Sequence, residues 1–424
     1  MTKIQNFEKN LKELLNEKAD NISSSTRFIK RRRKIKGSSF AKAMIIGNLG
    51  QESSLEGICA LFCHEDVEIT KQGLDLRFTR ESVEFMEHLS REALSMTEES
   101  LSINCQVLKL FHSVKLLDSS YINLPETMRD QRGYGSSYQN RPCSTQAGLK
   151  IQLVYDYLNQ IISRLDFKEG VRSDQGYKDY LEDVSPGDLL ITDLGYFAPN
   201  SFKIIDERKA YFLSRYKADT NLYDPDTKEK IDLLMALKNQ TFMARELLLG
   251  SQAKLKVRGV CQKLTQEQAA YRRRKANRLA KSRGYKSSQR NQNLLDWAIF
   301  ITNIPPSYVV AEDLSKLYRL RWQVELLFKL YKSYGGIDKF YSKKPYRVLC
   351  QIYAKIIAMA IFHSLANCLC LQQGKEFSPM KAFDYLKLRG LEIFLALRAD
   401  AHNLGVLLRN IMDAWSRCYS RCSS

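Results

Sequence analysis

The stretch Tyr318-Arg-Leu-Arg-Trp-Gln-Val-Glu-Leu-Leu-Phe-Lys-Leu-Tyr-Lys332 says more about this chain than any other. At about 100° per helical residue, Tyr318, Arg321, Glu325 and Lys332 fall within an arc of roughly 60°. Leu320, Val324, Leu327 and Tyr331 take the opposite side, an apolar back suited to packing on a sheet. A solvated helix face also collects Arg, Glu and Lys, so spacing alone leaves two readings open. The tyrosine and tryptophan beside the charges favour a working face.

Two more acids stand at the ends of apolar runs. Leu108 to Leu117 reads as a strand ending at Asp118, and Gly187-Asp-Leu-Leu-Ile-Thr192 as a buried strand ending at Asp193. Either acid alone is more often a solvated charge than a catalyst, but the shared setting suggests a cleft at a sheet edge. Three carboxylates suit phosphodiester cleavage, in which two hard divalent cations about 4 Å apart activate a nucleophile and stabilise a leaving oxygen. Hard cations take carboxylate oxygen. Basic residues on the same helix would hold the phosphate, and a tyrosine hydroxyl would donate to it.

Strands and helices alternate around these acids. Leu149 to Asp156, Ile161 to Phe167 and Ala210 to Tyr216 read as further strands, with helices over Tyr177 to Asp183 and Ser201 to Lys209. This is the pattern of a mixed α/β sheet. Met128 to Ala147 is too polar for core. Residues 218–304 are more charged, with short strands near Leu255 to Cys261 and Leu295 to Ile304 and a dense basic run from Tyr271 to Lys286 that includes Arg272, Arg273 and Arg274. They read as an insertion. The implied division is a helical DNA-binding domain at 1–104, an α/β core at 105–217 and 305–345, the β-rich basic insertion at 218–304, and a helical region at 346–424.

Lys and Arg number 66 against 47 Asp and Glu, a net charge of +19 and a pI near 9.4. Such a surplus points to a polyanionic partner, nucleic acid before membrane. The most apolar stretch, Val348 to Leu371, carries Gln351, Lys355, His363 and Asn367, which suits a buried helix rather than a bilayer span. The first residues lack the apolar run of a signal peptide, so a cytoplasmic protein is expected. Ten cysteines show no zinc framework: Cys59 and Cys63 beside His64, and Cys418 and Cys422, lack the usual paired spacing, and reduced buried thiols are expected. Near the N-terminus, Arg27 to Lys36 reads as a phosphate-contacting arm. Ser54 to Phe62 and Thr70 to Arg80 read as two helices compatible with helix-turn-helix, the second presenting Lys71, Gln72, Arg77 and Arg80; any small helical bundle shows the same pattern.

The spacing Tyr-x2-Arg-x3-Glu-x6-Lys, met by Tyr318, Arg321, Glu325 and Lys332, resembles the YREK signature of bacterial insertion-sequence DDE transposases. Leu116-Leu-Asp-Ser-Ser120 looks like that group's first aspartate motif, and Ile191-Thr-Asp-Leu-Gly-Tyr-Phe197 like its second, with Leu194 where the group often has arginine. The resemblance spans about 105–340.

It implies an RNase H-like fold with a mixed five-stranded sheet, Asp118 on the first strand, Asp193 just after the fourth and Glu325 on a later helix. The roughly 130 residues between Asp193 and Glu325 match the group's mostly β insertion. In relatives, a tryptophan on the insertion's last strand stacks on a flipped base; Trp297 stands at that place, though a buried strand tryptophan would look the same. Further implications are Mg²⁺ held by Asp118, Asp193 and Glu325 (with Mn²⁺ as a workable substitute), phosphate contacts from Tyr318, Arg321 and Lys332, and cut-and-paste transposition of terminal inverted repeats into target DNA. A homodimer would join the two ends, in a bacterial cytoplasm and on the nucleoid. The rival readings are a non-transposing RNase H-like nuclease, a transposase-derived DNA-binding protein without catalysis, and a transcription regulator.

Overall fold

Nine strands form one sheet in the computed structural model, which describes residues 3–30, 35–49, 54–96, 107–129, 134, 147–170, 172–282, 284–373, 378–398 and 401–418. Residues 31–34 of the basic run, nearly all of the polar stretch 130–146, and Cys422 lie outside the described residues. The strands are β1 (Val114–Asn123), β2 (Gly148–Asp156), β3 (Ile161–Glu169), β4 (Leu189–Thr192), β5 (Tyr211–Arg215), β6 (Leu222–Tyr223), β7 (Phe242–Leu249), β8 (Leu255–Lys263) and β9 (Trp297–Thr302). Their order across the sheet is β3-β2-β1-β4-β5-β9-β8-β7-β6. Pairs β1–β4 and β4–β5 are parallel, and the rest are antiparallel.

The expected five-stranded sheet is therefore corrected to nine. Its first five strands are contiguous, but the insertion does not stand apart: β9 pairs with β5 at Leu213 with Thr302 and Arg215 with Phe300, and β8, β7 and β6 follow. Pairing β9 there covers backbone donors and acceptors that an edge strand would expose. Most of the basic run, for which no strand was expected, lies on the helix Gln266–Ser282.

Asp118 needs a second correction. Leu108–Leu110 is a short 3-10 turn, and β1 runs on through Asp118 to Asn123 because β2 pairs with it along its whole length. What ends there is the parallel neighbour β4, whose last pair is Leu117 with Thr192.

Side chains alternate along each strand between two cores. Leu116, Leu189, Ile191 and Leu213 join a large cluster with the terminal helices, while Leu117, Leu190, Phe212 and Ile301 join a second with Tyr196 and Phe202. In the first cluster Gly37–Leu49, buried at every position, and Arg80–Ser95 pack along the helix Pro345–Gln373. The two ends of the chain thus share one core. The most apolar window of that long helix, within Pro345–Cys368, is 94% buried inside the protein.

The expected helix over Thr70 to Arg80 divides in two. The Thr70 side chain caps a single turn, Lys71–Asp75, and Thr79 caps a separate helix, Arg80–Ser95, through a reciprocal bond with Ser82. The buried thiols include Cys261, Cys350 and Cys368, but Cys63 and Cys418 are exposed.

Candidate active site

Register brings the two aspartates together. Leu117 and Thr192 are the last paired residues of the parallel ladder, so Asp118 and Asp193 follow side by side on neighbouring strands. By alternation Asp118 shares the face of Leu116, on which the helix Trp322–Lys329 packs. Asp118 Oδ1 accepts the Ser119 N–H at 2.8 Å, and Asp193 Oδ1 accepts the Gly195 N–H at 2.7 Å, capping the turn Leu194–Tyr196.

Arg321 stands above the pair. Its Nη1 donates to Asp118 Oδ2 at 3.4 Å and its Nη2 to Glu325 Oε1 one helical turn on. Arg321 therefore bridges Asp118 and Glu325, and its charge also acts on Asp193. Burial pushes the Asp118 carboxyl up to about 6; the Ser119 N–H and Arg321 oppose this, while the charges of Asp193 and Glu325 add to it. Asp193 is also raised, by burial first and by the nearby Asp174 charge, against the Gly195 N–H and Arg321. Burial works against the charge of Arg321, but Glu325, Tyr318 and Asp118 outweigh it and raise its pKa.

Among the described residues, no three carboxylate, imidazole or thiol groups stand ready together to hold a metal ion; the guanidinium lies among them instead. The donor set nonetheless fits a hard cation. Two adjacent carboxylates are desolvated with less positive charge than they need, as the raised Asp118 shows, and both offer oxygen. Glu325, one helical turn beyond Arg321, is engaged by its guanidinium.

The helix carrying these groups has three pitches. The amides of Leu320, Arg321, Gln323 and Val324 bond to carbonyls three residues back, Trp322–Lys329 is α-helical, and Leu330–Tyr334 is a π turn. Such π turns recur at functional sites. Lys332 lies in it, and its Nζ donates to the Tyr121 carbonyl of β1 at 2.7 Å; burial lowers its pKa. Tyr318 is half-buried with its ring 5.2 Å from that of Phe300, and burial raises its pKa.

Other expected contacts lie elsewhere. Trp297 is only 7% exposed inside the second core, so of its two readings the structure shows the buried one. Arg272 Nη1 donates to the Trp297 carbonyl at 2.9 Å, and burial, with Arg215 nearby, lowers its pKa to about 10. Arg273 pairs with Asp296, whereas Arg274 is exposed. Lys71 pairs with Glu56 at 2.6 Å, and Gln72 and Arg77 are exposed. Sequence reasoning passed over Asp174, in a turn without periodicity; Trp322, noted there beside the charges, stands 56% exposed next to Arg321.

Residues 109–361, more than half of the chain, match the protein family described as Transposase DDE domain. The chain belongs to the DDE transposase family. It is 28% identical to the transposase for insertion sequence element IS231B of Bacillus thuringiensis subsp. berliner, over 93% of this chain and 87% of the relative. Identity is also 28% to the transposase for insertion sequence element IS1151 of Clostridium perfringens, over 91% and 86%. A cryo-EM structure of a piggyBac transposase synaptic complex with hairpin DNA aligns at a TM-score of 0.49 and 11% identity, covering 97% of this chain and 84% of that one. As a DDE transposase the protein is a DNA-cleaving and strand-transferring enzyme, of a family that binds DNA and works with divalent metal ions.

Proposed function

We propose that Asp118, Asp193 and Glu325 are the metal-binding carboxylates of this transposase, on a core of RNase H-like type, and that Mg²⁺ is the physiological metal with Mn²⁺ able to replace it. The observation that carries this reading is the pair Asp118–Asp193 at the end of the β1–β4 ladder with Arg321 and Glu325 above it. When bound, the metal ions activate the attacking oxygen and stabilise the leaving one. Asp118 and Asp193, each oriented by a backbone amide (Ser119 and Gly195), would hold the metal together with Glu325. Arg321, released from the acids, pairs with the scissile phosphate, while Tyr318 and Lys332 hold its neighbours. Water attacks the phosphorus at the transposon end, the P–O3′ bond breaks, and the freed 3′-OH then attacks a second phosphodiester, on the opposite strand or in target DNA.

The exposed side of the helix Gln266–Ser282, with Arg274, tracks DNA beside the cleft, and the N-terminal helices with Lys71, Gln72 and Arg77 contact the terminal inverted repeats. Two copies hold both ends in a synaptic homodimer, in the cytoplasm on the nucleoid. A base-stacking role for Trp297 requires the end of β9 to open when DNA binds. Incubating the protein with Mg²⁺ and end-bearing DNA tests the reading: nicked and joined products are expected from wild type and neither from D118N. Nicks without joined products would identify a simple nuclease instead, and unchanged products from D118N would remove Asp118 from the chemistry.

A further inference from the structure

On the sheet face turned away from the helix Trp322–Lys329, one carboxylate ties together the segments that carry Asp118 and Asp193. Asp174 opens the short turn Asp174–Gly176, and its Oδ1 accepts from Ser119 Oγ at 2.7 Å, Gln152 Nε2 at 3.0 Å and Lys150 Nζ at 3.2 Å. Ser119 follows Asp118 on β1 and pairs with Gln152 across the β1–β2 ladder. Gln152 is fully buried, and its Oε1 accepts the hydroxyl of Tyr196, which lies in the turn capped by Asp193.

The two turns pack directly against each other, and Gln175 Nε2 donates to the Phe197 carbonyl at 3.1 Å. Gly195 is the hinge of this contact. A Cβ there would lie 3.0 Å from Asp193 Oδ1 and 3.3 Å from Asp174 Oδ2, tighter than most such contacts, so the glycine lets the two carboxylates approach from either side. With three donors converging on one oxygen, one of them the Lys150 ammonium, Asp174 is committed to the protein rather than to a bound cation.

We propose that Asp174 is a positioning residue, grasping β1 through Ser119 and the Leu194–Tyr196 turn through Gln152 and Tyr196, and thereby setting the separation of Asp118 and Asp193 on which metal binding depends. The inference rests on the reading of those two aspartates as metal ligands. Groups that orient metal-binding carboxylates from behind are worth about 10–100-fold in metal affinity or activity. The Asp174 charge also adds to the raised pKa of Asp193, after burial, which marks how close the two stand.

The test uses the full chain as wild type, D174A, D174N, S119A and D118A. Mn²⁺ affinity is measured on the DNA-free protein, beside the Mg²⁺ dependence of cleavage, DNA affinity and melting temperature. D174A should bind Mn²⁺ about 10–100-fold more weakly and need correspondingly more Mg²⁺, with DNA affinity unchanged. D174N keeps an Oδ1 acceptor and should recover most of the loss, and S119A should shift the same way by a smaller factor. Wild-type metal dependence in D174A overturns the proposal, as does equal damage in D174A and D174N. If D174A does not fold, S119A decides, and unchanged Mn²⁺ affinity there overturns it. Full Mn²⁺ binding and cleavage in D118A would instead sink the metal-site reading, whereas an inactive D118A beside an unaffected D174A refutes only the role of Asp174.

Discussion

Asp118 combines two demands that conflict in the free protein. It lies beside a second carboxylate, and burial holds its carboxyl at about 6. The folded state therefore binds its proton more tightly than the unfolded chain, whose aspartates titrate near ~3.9. The sign follows from linkage: this stabilisation is complete below the unfolded value and is lost as pH rises through about 6. Above that pH the charge costs on the order of 3 kcal/mol. In metal-free buffer D118N should melt above wild type at about pH 7.5 and level with it near pH 4, where aspartate is protonated too. Mg²⁺ should narrow the gap by stabilising wild type alone. A lower melting point for D118N at the higher pH would mean that the Arg321 bond outweighs desolvation. At this scale the placement of Asp118, Arg321 and Glu325 was legible because each sits in a periodic element, and that of Asp193 because it directly follows one. Asp174 was not, because its three partners come from β1 and β2, far from it along the chain.

The helix from Leu314 to Tyr334 departs from the uniform pitch that a count of residues assumes. Its 3-10 bonding near Arg321 winds it tighter than an α-helix, and its π turn at Leu330–Tyr334 winds it looser. A count at uniform pitch set the apolar back of Leu320, Val324, Leu327 and Tyr331 against the sheet, yet Arg321 and Lys332 are the residues that reach β1, at Asp118 and at the Tyr121 carbonyl. Elsewhere a side-chain clasp adds to the β5–β9 ladder between core and insertion. Asn303, just past β9, accepts the Phe212 N–H at 2.8 Å and donates to Asp206 Oδ1 at 2.8 Å and the Ala210 carbonyl at 2.9 Å. Asn303→Ala leaves the β5 amide without its acceptor, and urea unfolding should show a loss of about 1–3 kcal/mol. An unchanged midpoint would show that β5 and β9 hold together without this clasp.

For the whole molecule the net charge of +19 matters more than any one contact. Arg274, Lys275, Arg278 and Lys281 are exposed on the helix Gln266–Ser282, whereas Arg272 and Arg273 are held by Trp297 and Asp296. Each phosphate contact removed lowers the slope of log affinity against log salt by about 0.9. The double variant R274A/R278A should thus reduce that slope by up to about 2, equally on unrelated DNA and on end-bearing DNA. A loss confined to end-bearing DNA would assign this helix to sequence readout instead. The long helix Pro345–Gln373 is a core element packed by N-terminal helices, so the N-terminal and C-terminal helices share one hydrophobic cluster.

The amino-acid sequence by itself determined the α/β class, the order of the acids and the face on which Tyr318, Arg321, Glu325 and Lys332 lie. These follow from local periodicity and from backbone limits that act within a few residues. Tertiary structure alone decided that the described residues form a nine-stranded sheet, that Trp297 is buried, that Arg321 bridges Asp118 and Glu325 and that Asp174 ties Ser119 to Gln152. Each of these depends on pairing between segments distant along the chain, where edge satisfaction and burial select the partner and no local pattern records the choice.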